Sequence, residues 1–285
     1  MSPPTNSIEL RTSNFLPDLS AKVLATGLTF LEGDNFQRLK PSDFISYLTQ
    51  GGSDNIKLCS ETAQKIKALV VESIFLHNGV SERARAMELF INTGMVSMMN
   101  IPVRILSNLK FQECQRQRNF SSAVAIALSL HSPPVESLME TKKALARAVR
   151  ERLSSLRDMV HPRGYLAAFR TAGNAEFGLP WLPYHMPKLK EVLRKYPVMI
   201  EKDVINFRRY IEFMDRLQEE IPCDKVPTLR GQPSQVVSRV RKILETVPLF
   251  DENDGKTTAR IAEVIALETR IRRHHAHALN MLGFI

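Results

Sequence analysis

The segment Phe120–Leu130, FSSAVAIALSL, limits the fold more than any other stretch of the chain. It is apolar nearly all round. A helix of that kind has to lie buried at the centre of a larger assembly, because no face of it suits water. Pro133 and Pro134 stop it.

The rest of the chain supplies helices to surround it. Residues 21–36 are apolar at helical spacing, and residues 56–76 predict a helix that buries Ile66, Leu69, Val70, Ile74 and Phe75. TQGGSDN (49–55) is the loop between them. Ser81 with Glu82 starts another helix, running through RARAMELFINTGM. Residues 141–159 read as one long, basic, amphipathic helix. Phe207, Tyr210, Ile211, Met214, Leu217 and Ile221 recur at steps of three and four, which predicts one buried face of a strong helix ended by Pro222. Two more helices are expected at about 234–246 and 257–281. Strand signals are weak, with no alternating run and no Asn-Gly hairpin. Residues 1–16, rich in Ser, Pro, Thr and Asn, read as a loose arm. The expectation is an all-α fold, one domain over residues 17–285, with no dividing linker.

The chain carries a formal charge of +9. Such an excess suits nucleic acid, an anionic membrane surface or an acidic protein partner. Acidic residues are interspersed, no zinc-finger spacing or aromatic–glycine RNA signature occurs, and nucleic acid is not expected. No apolar run approaches the roughly 18–20 residues needed to span a bilayer. MSPPTNSIELRTSNF lacks a basic n-region and an apolar h-region, so secretion is not expected. Cys59, Cys114 and Cys223 are far apart and read as reduced thiols of a cytoplasmic protein.

Local motifs for conventional chemistry fail. DGKTT (254–258) resembles the end of a phosphate-binding loop, but Phe250 stands where the first Gly belongs. The same stretch fails as a calcium loop, with Phe250 and Ile261 at ligand positions. His274 and His277 share a helical face, yet a cationic helix end explains them without a metal. No cofactor and no metal are expected, and no nucleophile–base grouping can be assembled.

One stretch stands out. LPWLPYHMPKLKEVLRKYP (179–197) holds four of the sixteen prolines and the only tryptophan, Trp181, and runs into a cationic helix. Proline is expelled from helix interiors, so the crowding marks a change of direction.

Four stretches together resemble the catalytic domain of Ras-family guanine-nucleotide exchange factors, the RasGEF domain of Son of sevenless and its relatives. LATGLTFLEGDNFQRLKPSDF (24–44) is similar to the family's opening signature, with Leu24-Ala25, Leu28-Thr29, Glu32, Phe36, Leu39, Pro41 and Asp43 at the family spacing. RNFSSAVAIALSLHSPPVESL (118–138) resembles its Asn-Phe helix and Val-x-x-Leu ending. PRGYLAAFR (162–170) resembles its Arg-Asn-Tyr/Phe…Tyr-Arg segment. LPWLPY (179–184) with INFRR (205–209) resembles its Ile-Pro-Phe-Leu-Gly and Ile-Asn-Phe-x-Lys pair, and ALETR (266–270) lies near its closing Glu-Pro-Arg.

The resemblance implies a single bowl-shaped, multi-helix domain with a protruding helical hairpin, standing without the helical accessory module that often precedes it. The implied partner is a Ras-family small GTPase, in the cytoplasm or peripheral at membranes where that GTPase resides. The implied act is to wedge switch 1 away while the bowl grips switch 2, with no bond made or broken. The hairpin is expected to start at Pro183–Pro187, to turn near Tyr196-Pro197, and to return from about Ile200 through Ile221. Pro187 is placed in the first turn of a helix. Pro187, Lys190, Glu191 and Arg194 are the residues implied to face the nucleotide site. Asn119, Glu61, Trp181, Tyr184, Met186, Asn206 and Arg208 are implied to face the partner. Several of these have structural alternatives. Asn119 caps the helix beginning at Phe120, Trp181 packs in the core or anchors the hairpin angle, and Asn206 ties down the return helix. Arg170 is expected in an ion pair.

The hairpin departs from the family pattern. Pro183, Tyr184, His185, Met186 and Pro187 stand where the family has Gly-x-Tyr-Leu-Thr. Lys190 stands at an apolar position, and Leu193 or Arg194 at the acidic one. A cation there mimics Mg²⁺ toward vacated phosphate-binding groups, competes for phosphate, or is inert. Glu191 replaces the acid only if the register shifts. The other class of function this admits is an exchange-inactive scaffold that binds a GTPase or another protein.

Overall fold

The computed structural model describes residues 19–98, 118–171, 178–202, 204–221, 234–248 and 255–281. The expected arm at 1–16, Cys114, Cys223 and Phe250 lie outside the described residues.

Thirteen helices and one two-stranded ribbon make up the described residues, so the chain is all-α as expected. The helices are α1 Ala21–Gln37, α2 Pro41–Gln50, α3 Asp54–Phe75, α4 Val80–Met98, α5 Phe120–Leu130, α6 Pro133–Glu136, α7 Met139–Ala144, α8 Arg147–Val160 and α9 Pro162–Thr171. They continue with α10 Leu182–Lys195, α11 Phe207–Glu220, α12 Ser234–Thr246 and α13 Gly255–Met281. The strands β1 Met199–Glu201 and β2 Val204–Ile205 join α10 to α11.

Capping chemistry sets several boundaries. Ser20 accepts from the Val23 N–H at 3.2 Å, and Ser53 accepts from the Ile56 N–H at 3.3 Å. Gly51, at φ 72°, ends α2 in the left-handed region that a side chain disfavours. Asp43 accepts from the Lys40 N–H at 2.8 Å and from Ser53 Oγ at 2.9 Å. It therefore opens α2 and holds the start of α3 beside it.

Helix α5 is the centre, as its composition demands. Phe120, Ala123, Val124, Ala125, Ile126, Ala127 and Leu130 are all buried, and α3, α4, α8 and α1 pack round it. The five expected core residues of α3 are buried as well. Pro133 and Pro134 do more than stop α5. They open α6, at positions where no backbone donor is needed.

Two helical expectations are corrected. Residues 141–159 are not one helix. Leu145 is extended, at ψ 139°, and buries its side chain in the core, so α7 ends and α8 leaves in a new direction. The break lets α7 meet α13 while α8 packs on α5. There Glu268 of α13 accepts from the backbone N–H groups of Glu140 and Thr141, at 2.8 and 3.1 Å. It also pairs at 2.9 Å with Arg83 of α4, a side chain with no solvent exposure. Arg83 further donates to the carbonyls of His77 and Asn78. One buried ion pair thus ties α4, α7 and α13 together.

The second correction concerns α11. Phe213, Leu217 and Ile221 are buried, but Phe207 and Ile211 are 70% and 60% exposed. Two faces of α11 carry apolar residues, and among the described residues only one has a neighbour. That face joins Leu189 and Leu193 of α10 to Phe36, Leu39, Phe44 and Ile56 in a second core cluster, separate from the one around α5.

Candidate functional site

Helices α10 and α11 form an antiparallel pair. His185 near the start of α10 meets Glu220 at the end of α11, and Leu193 near the end of α10 meets Arg209 near the start of α11. Pro183 opens α10, but Pro187 lies inside it, beyond the expected first turn. The missing donor leaves the Pro183 carbonyl without its helical partner. Both prolines are exposed, so water can take its place. Arg194 and Lys195 close α10, where cations suit the helix dipole.

The turn differs from the expectation. Between Tyr196 and Asn206 the chain makes the β1–β2 ribbon, with Met199 opposite Ile205, and α11 starts only at Phe207. Asn206 donates to the Pro197 carbonyl at 3.1 Å, and its N–H donates to the Val198 carbonyl at 2.9 Å. It ties the ribbon to the return helix, with its side chain buried. Arg209, which the sequence reading passed over, is buried and donates to the carbonyls of Leu193 and Tyr196. It satisfies the acceptors that α10 leaves at its C-terminus. An arginine between apolar positions of a stripe was the available signal. Val198, Met199, Ile200, Val204 and Ile205 stay exposed on the ribbon.

Pro187, Lys190, Glu191 and Arg194 are all exposed and recur at steps of three and four, so α10 lines them up along one solvent-facing stripe. Leu189 and Leu193 bury the opposite side. Lys188, between the two faces, is engaged with Glu220 at 2.8 Å and lies over the Tyr184 ring. Among the described residues Lys190, Glu191 and Arg194 have no ion-pair partner.

The base of the pair is fixed to the helical body by backbone. The Leu179 N–H donates to the Arg118 carbonyl at 2.9 Å, and the Phe120 N–H donates to the Leu179 carbonyl at 3.0 Å. A Cβ on Gly178 would stand 2.4 Å from the Arg118 carbonyl oxygen, so only glycine permits this approach. Trp181 is half-buried, its ring 5.7 Å from that of Tyr165 on α9, and Tyr184 stacks obliquely on Tyr165 at 4.8 Å.

A cavity of about 190 Å³ opens beside this base. Trp181, Leu182 and Met186 line one side, and Phe36, Tyr47, Ile56 and Lys67 line the other. Its wall is apolar around Phe36, Trp181 and Met186 and polar where Glu32, Asn35, Gln64, Lys67 and Ser121 enter it. Glu61 is exposed on α3, but the cation that this helix turns into the pocket is Lys67, and burial lowers its pKa. Lys67 was not singled out in the sequence because its helix carries several lysines with nothing to separate them.

Asn119 lies beneath the pocket, not on its rim. Its side chain is fully buried, accepts from the Ser122 N–H at 2.9 Å, and donates to Glu32 at 2.7 Å. Glu32 is buried too, and Ser121 and Ser122 also donate to it. Burial raises its pKa, against the pull of these hydrogen bonds. Arg208 sits at the far end of the pair, 72% exposed, over the Tyr196 ring and beside Glu212. Arg170 is exposed and has no ion pair among the described residues.

The structure thus brings Trp181 and Met186 together at the base of the pair, runs the α10 stripe from there to Arg194 near the ribbon, leaves Asn206 and Arg208 at the ribbon, and encloses Asn119. These groups assemble no nucleophile with a base. No group of three His, Cys, Asp or Glu side chains among the described residues is placed to hold a metal.

A family model described as the RasGEF domain matches residues 23–211. The chain is 23% identical over 251 residues to the guanine nucleotide exchange factor SDC25 of Saccharomyces cerevisiae, covering 81% of this chain and 19% of that protein. It is 24% identical over 204 residues to Ras guanyl-releasing protein 3 of Homo sapiens, covering 69% of this chain and 27% of that protein. Similarity to RAS guanyl-releasing protein 4 of Rattus norvegicus is 21% over 228 residues, 77% of this chain and 30% of that protein. The chain therefore spans less than a third of the length of these relatives.

Proposed function

The chain belongs to the RasGEF family, and on that premise we propose that it is a guanine-nucleotide exchange factor that binds a Ras-family small GTPase and speeds GDP release. Such a GTPase holds its nucleotide with a phosphate-binding loop, Mg²⁺ and two switch segments. An exchange factor acts by binding the nucleotide-free state more tightly than the loaded one, which lowers the affinity for nucleotide by the same factor.

The observation that carries the reading is the α10 stripe. Pro187, Lys190, Glu191 and Arg194 are held out to solvent on a helix whose other face is locked into a core. In this reading α10 is the wedge against switch 1. Lys190 and Arg194 put positive charge where the Mg²⁺ and phosphate groups of the GTPase have to be loosened, a role that a cation fills by standing in for the ion. The pocket beside Trp181 and Met186 accepts an apolar side chain of switch 2. No helix among the described residues is long and apolar enough to cross a membrane. We place the protein in the cytoplasm, meeting membranes only where its GTPase does.

Release of a fluorescent nucleotide from a panel of Ras, Rap and Ral proteins tests this. Lys190→Leu and Arg194→Glu, the family residue types, should change the rate more than Arg147→Glu on the remote α8 surface. Release unaltered by the domain for every GTPase overturns the proposal. Binding without release selects the second reading, an exchange-inactive scaffold, which the cations at apolar and acidic family positions favour.

A further inference from the structure

At the base of the hairpin one histidine joins three helices. The Trp181 N–H donates to Tyr165 Oη at 3.0 Å, Tyr165 Oη lies 2.7 Å from His185 Nε2, and His185 Nδ1 lies 2.7 Å from Glu220 Oε2. Tyr165 belongs to α9 in the helical body, His185 to the first arm, and Glu220 to the last residue of the second arm. Tyr165 is 0% and His185 1% exposed. His185 stands where the resemblance puts a family tyrosine, so this link is a property of this chain.

The protons can be placed by accounting for every partner. Glu220 is ionised, since hydrogen bonds from Lys188 and His185 outweigh burial and hold its pKa below the usual range. An ionised carboxylate only accepts, so His185 Nδ1 carries the proton. Neutral His185 then has a bare Nε2, which accepts the Tyr165 hydroxyl proton. Tyr165 in turn accepts from Trp181. Donors and acceptors all match.

A second proton on His185 breaks the match. Nε2–H would point at Tyr165 Oη, and the tyrosine proton would lose its acceptor inside a buried aromatic box. Phe169 and Tyr184 close that box, with ring centroids 5.3 and 5.1 Å from His185. Among the described residues the hydroxyl has no third partner. An orphaned buried donor is costly.

We propose that His185 is a proton-operated positioning residue: neutral, it locks both hairpin arms to Tyr165, and protonated, it unlocks them and lets the wedge lose its angle. This rests on the exchange reading given above. The groups facing His185 are Tyr165 and Phe169 from α9, Tyr184 and Lys188 from α10, and Glu220 from α11, with Arg216 3.8 Å from the same carboxylate. Burial lowers the His185 pKa, the Glu220 hydrogen bond opposes this, and the Lys188 charge adds to the lowering. The lock is therefore closed near neutrality and opens on acidification. Leverage makes a small loosening matter. An arm of 14 residues is about 20 Å long, so a tilt of roughly 5° at the base moves its far end by about 2 Å.

Trp181, the only tryptophan of the chain, sits in this network and reports on it. Its emission, followed in the full chain alone, should titrate with a midpoint below the ordinary 6.5 of histidine. His185→Gln and His185→Tyr should both abolish the transition. With a responsive GTPase, wild-type release should fall between about pH 7.5 and about pH 5.5 by roughly threefold more than release by His185→Gln. A flat wild-type titration, or equal pH profiles of release for wild type and His185→Gln, overturns the proposal. An intact titration with no release at any pH overturns the exchange reading and leaves the proton-operated lock standing.

Discussion

Asn119 Nδ2 donates to Glu32 Oε2 at 2.7 Å, across 87 positions of chain and with both side chains buried. The same amide caps α5 through its oxygen. One side chain therefore starts the central helix and solvates a carboxyl group that no cation among the described residues reaches.

Replacing Asn119 with alanine should remove the cap and a hydrogen bond to a buried acid together, at a cost of about 2–4 kcal/mol in urea unfolding. Asn119→Asp keeps the cap but sets two acids side by side. Its deficit should match that of alanine at neutral pH and shrink on acidification.

Glu32 gives the fold a pH dependence of its own. Burial raises its folded pKa above the unfolded value of 4.5. The folded state then holds the proton more tightly, so its contribution is full below 4.5 and is lost as pH rises through the folded value. Urea midpoints between about pH 4.5 and about pH 7 should fall less for Glu32→Gln than for wild type. Parallel curves would mean that Glu32 is ionised as easily folded as unfolded.

Glu136 works in the opposite sense. Burial would raise its pKa, but hydrogen bonds and charge from Lys142 and His131 bring it down to about 2. Its contribution is present above the unfolded value of 4.5 and lost as pH falls toward about 2. Acid unfolding of Glu136→Gln should start from a lower stability and show a shallower loss across that interval, measured by far-UV circular dichroism.

Arg83→Met should strand the buried Glu268 carboxylate and cost about 3–5 kcal/mol. Glu268→Gln has one oxygen where the two of the carboxylate accept separately from the Glu140 and Thr141 amides, and it leaves Arg83 a buried cation without a counter-charge, so it should cost a similar amount. The Arg83→Met/Glu268→Gln double variant should lose less than the sum of the two, because no charge is then left unpaired. Additive losses in a denaturation cycle would show that the pair is not coupled.

Phe207 and Phe213 offer a direct contrast on one helix. Phe207→Ser should change stability by no more than about 0.5 kcal/mol, whereas Phe213→Ala should cost about 3–5 kcal/mol. Equal losses would place Phe207 in a core that the described residues do not contain.

That contrast also marks where sequence reasoning stops. Periodicity found α1 and α3, a start signal found α4 and an all-round apolar composition found α5, because each is surrounded and an apolar position there is a buried one. On α11 the same pattern selected Phe207 and Ile211 along with Phe213 and Leu217, since periodicity counts apolar residues and not neighbours. The break at Leu145 was hidden for a related reason: the leucine turns out of the helix to bury itself in a core built from distant parts of the chain. Pro187 was placed in a first turn because the helix start at Leu182 has no side-chain cap to announce it. The family signatures pointed to the stretch in which α10 and α11 lie side by side. Arg209 left a faint trace as an arginine within an apolar stripe, whereas Lys67 and the His185 link emerge only when several elements meet, and no local spacing carries that information.

The Arg83–Glu268 pair sets an order of events during synthesis. The arginine leaves the ribosome 185 residues before the glutamate that neutralises it, a lag of roughly 10–40 s at cellular elongation rates. Through that interval Arg83 has the carbonyls of His77 and Asn78 but no counter-charge. Helix α13 completes this site, and a nascent chain stalled short of residue 268 should lack that stabilisation.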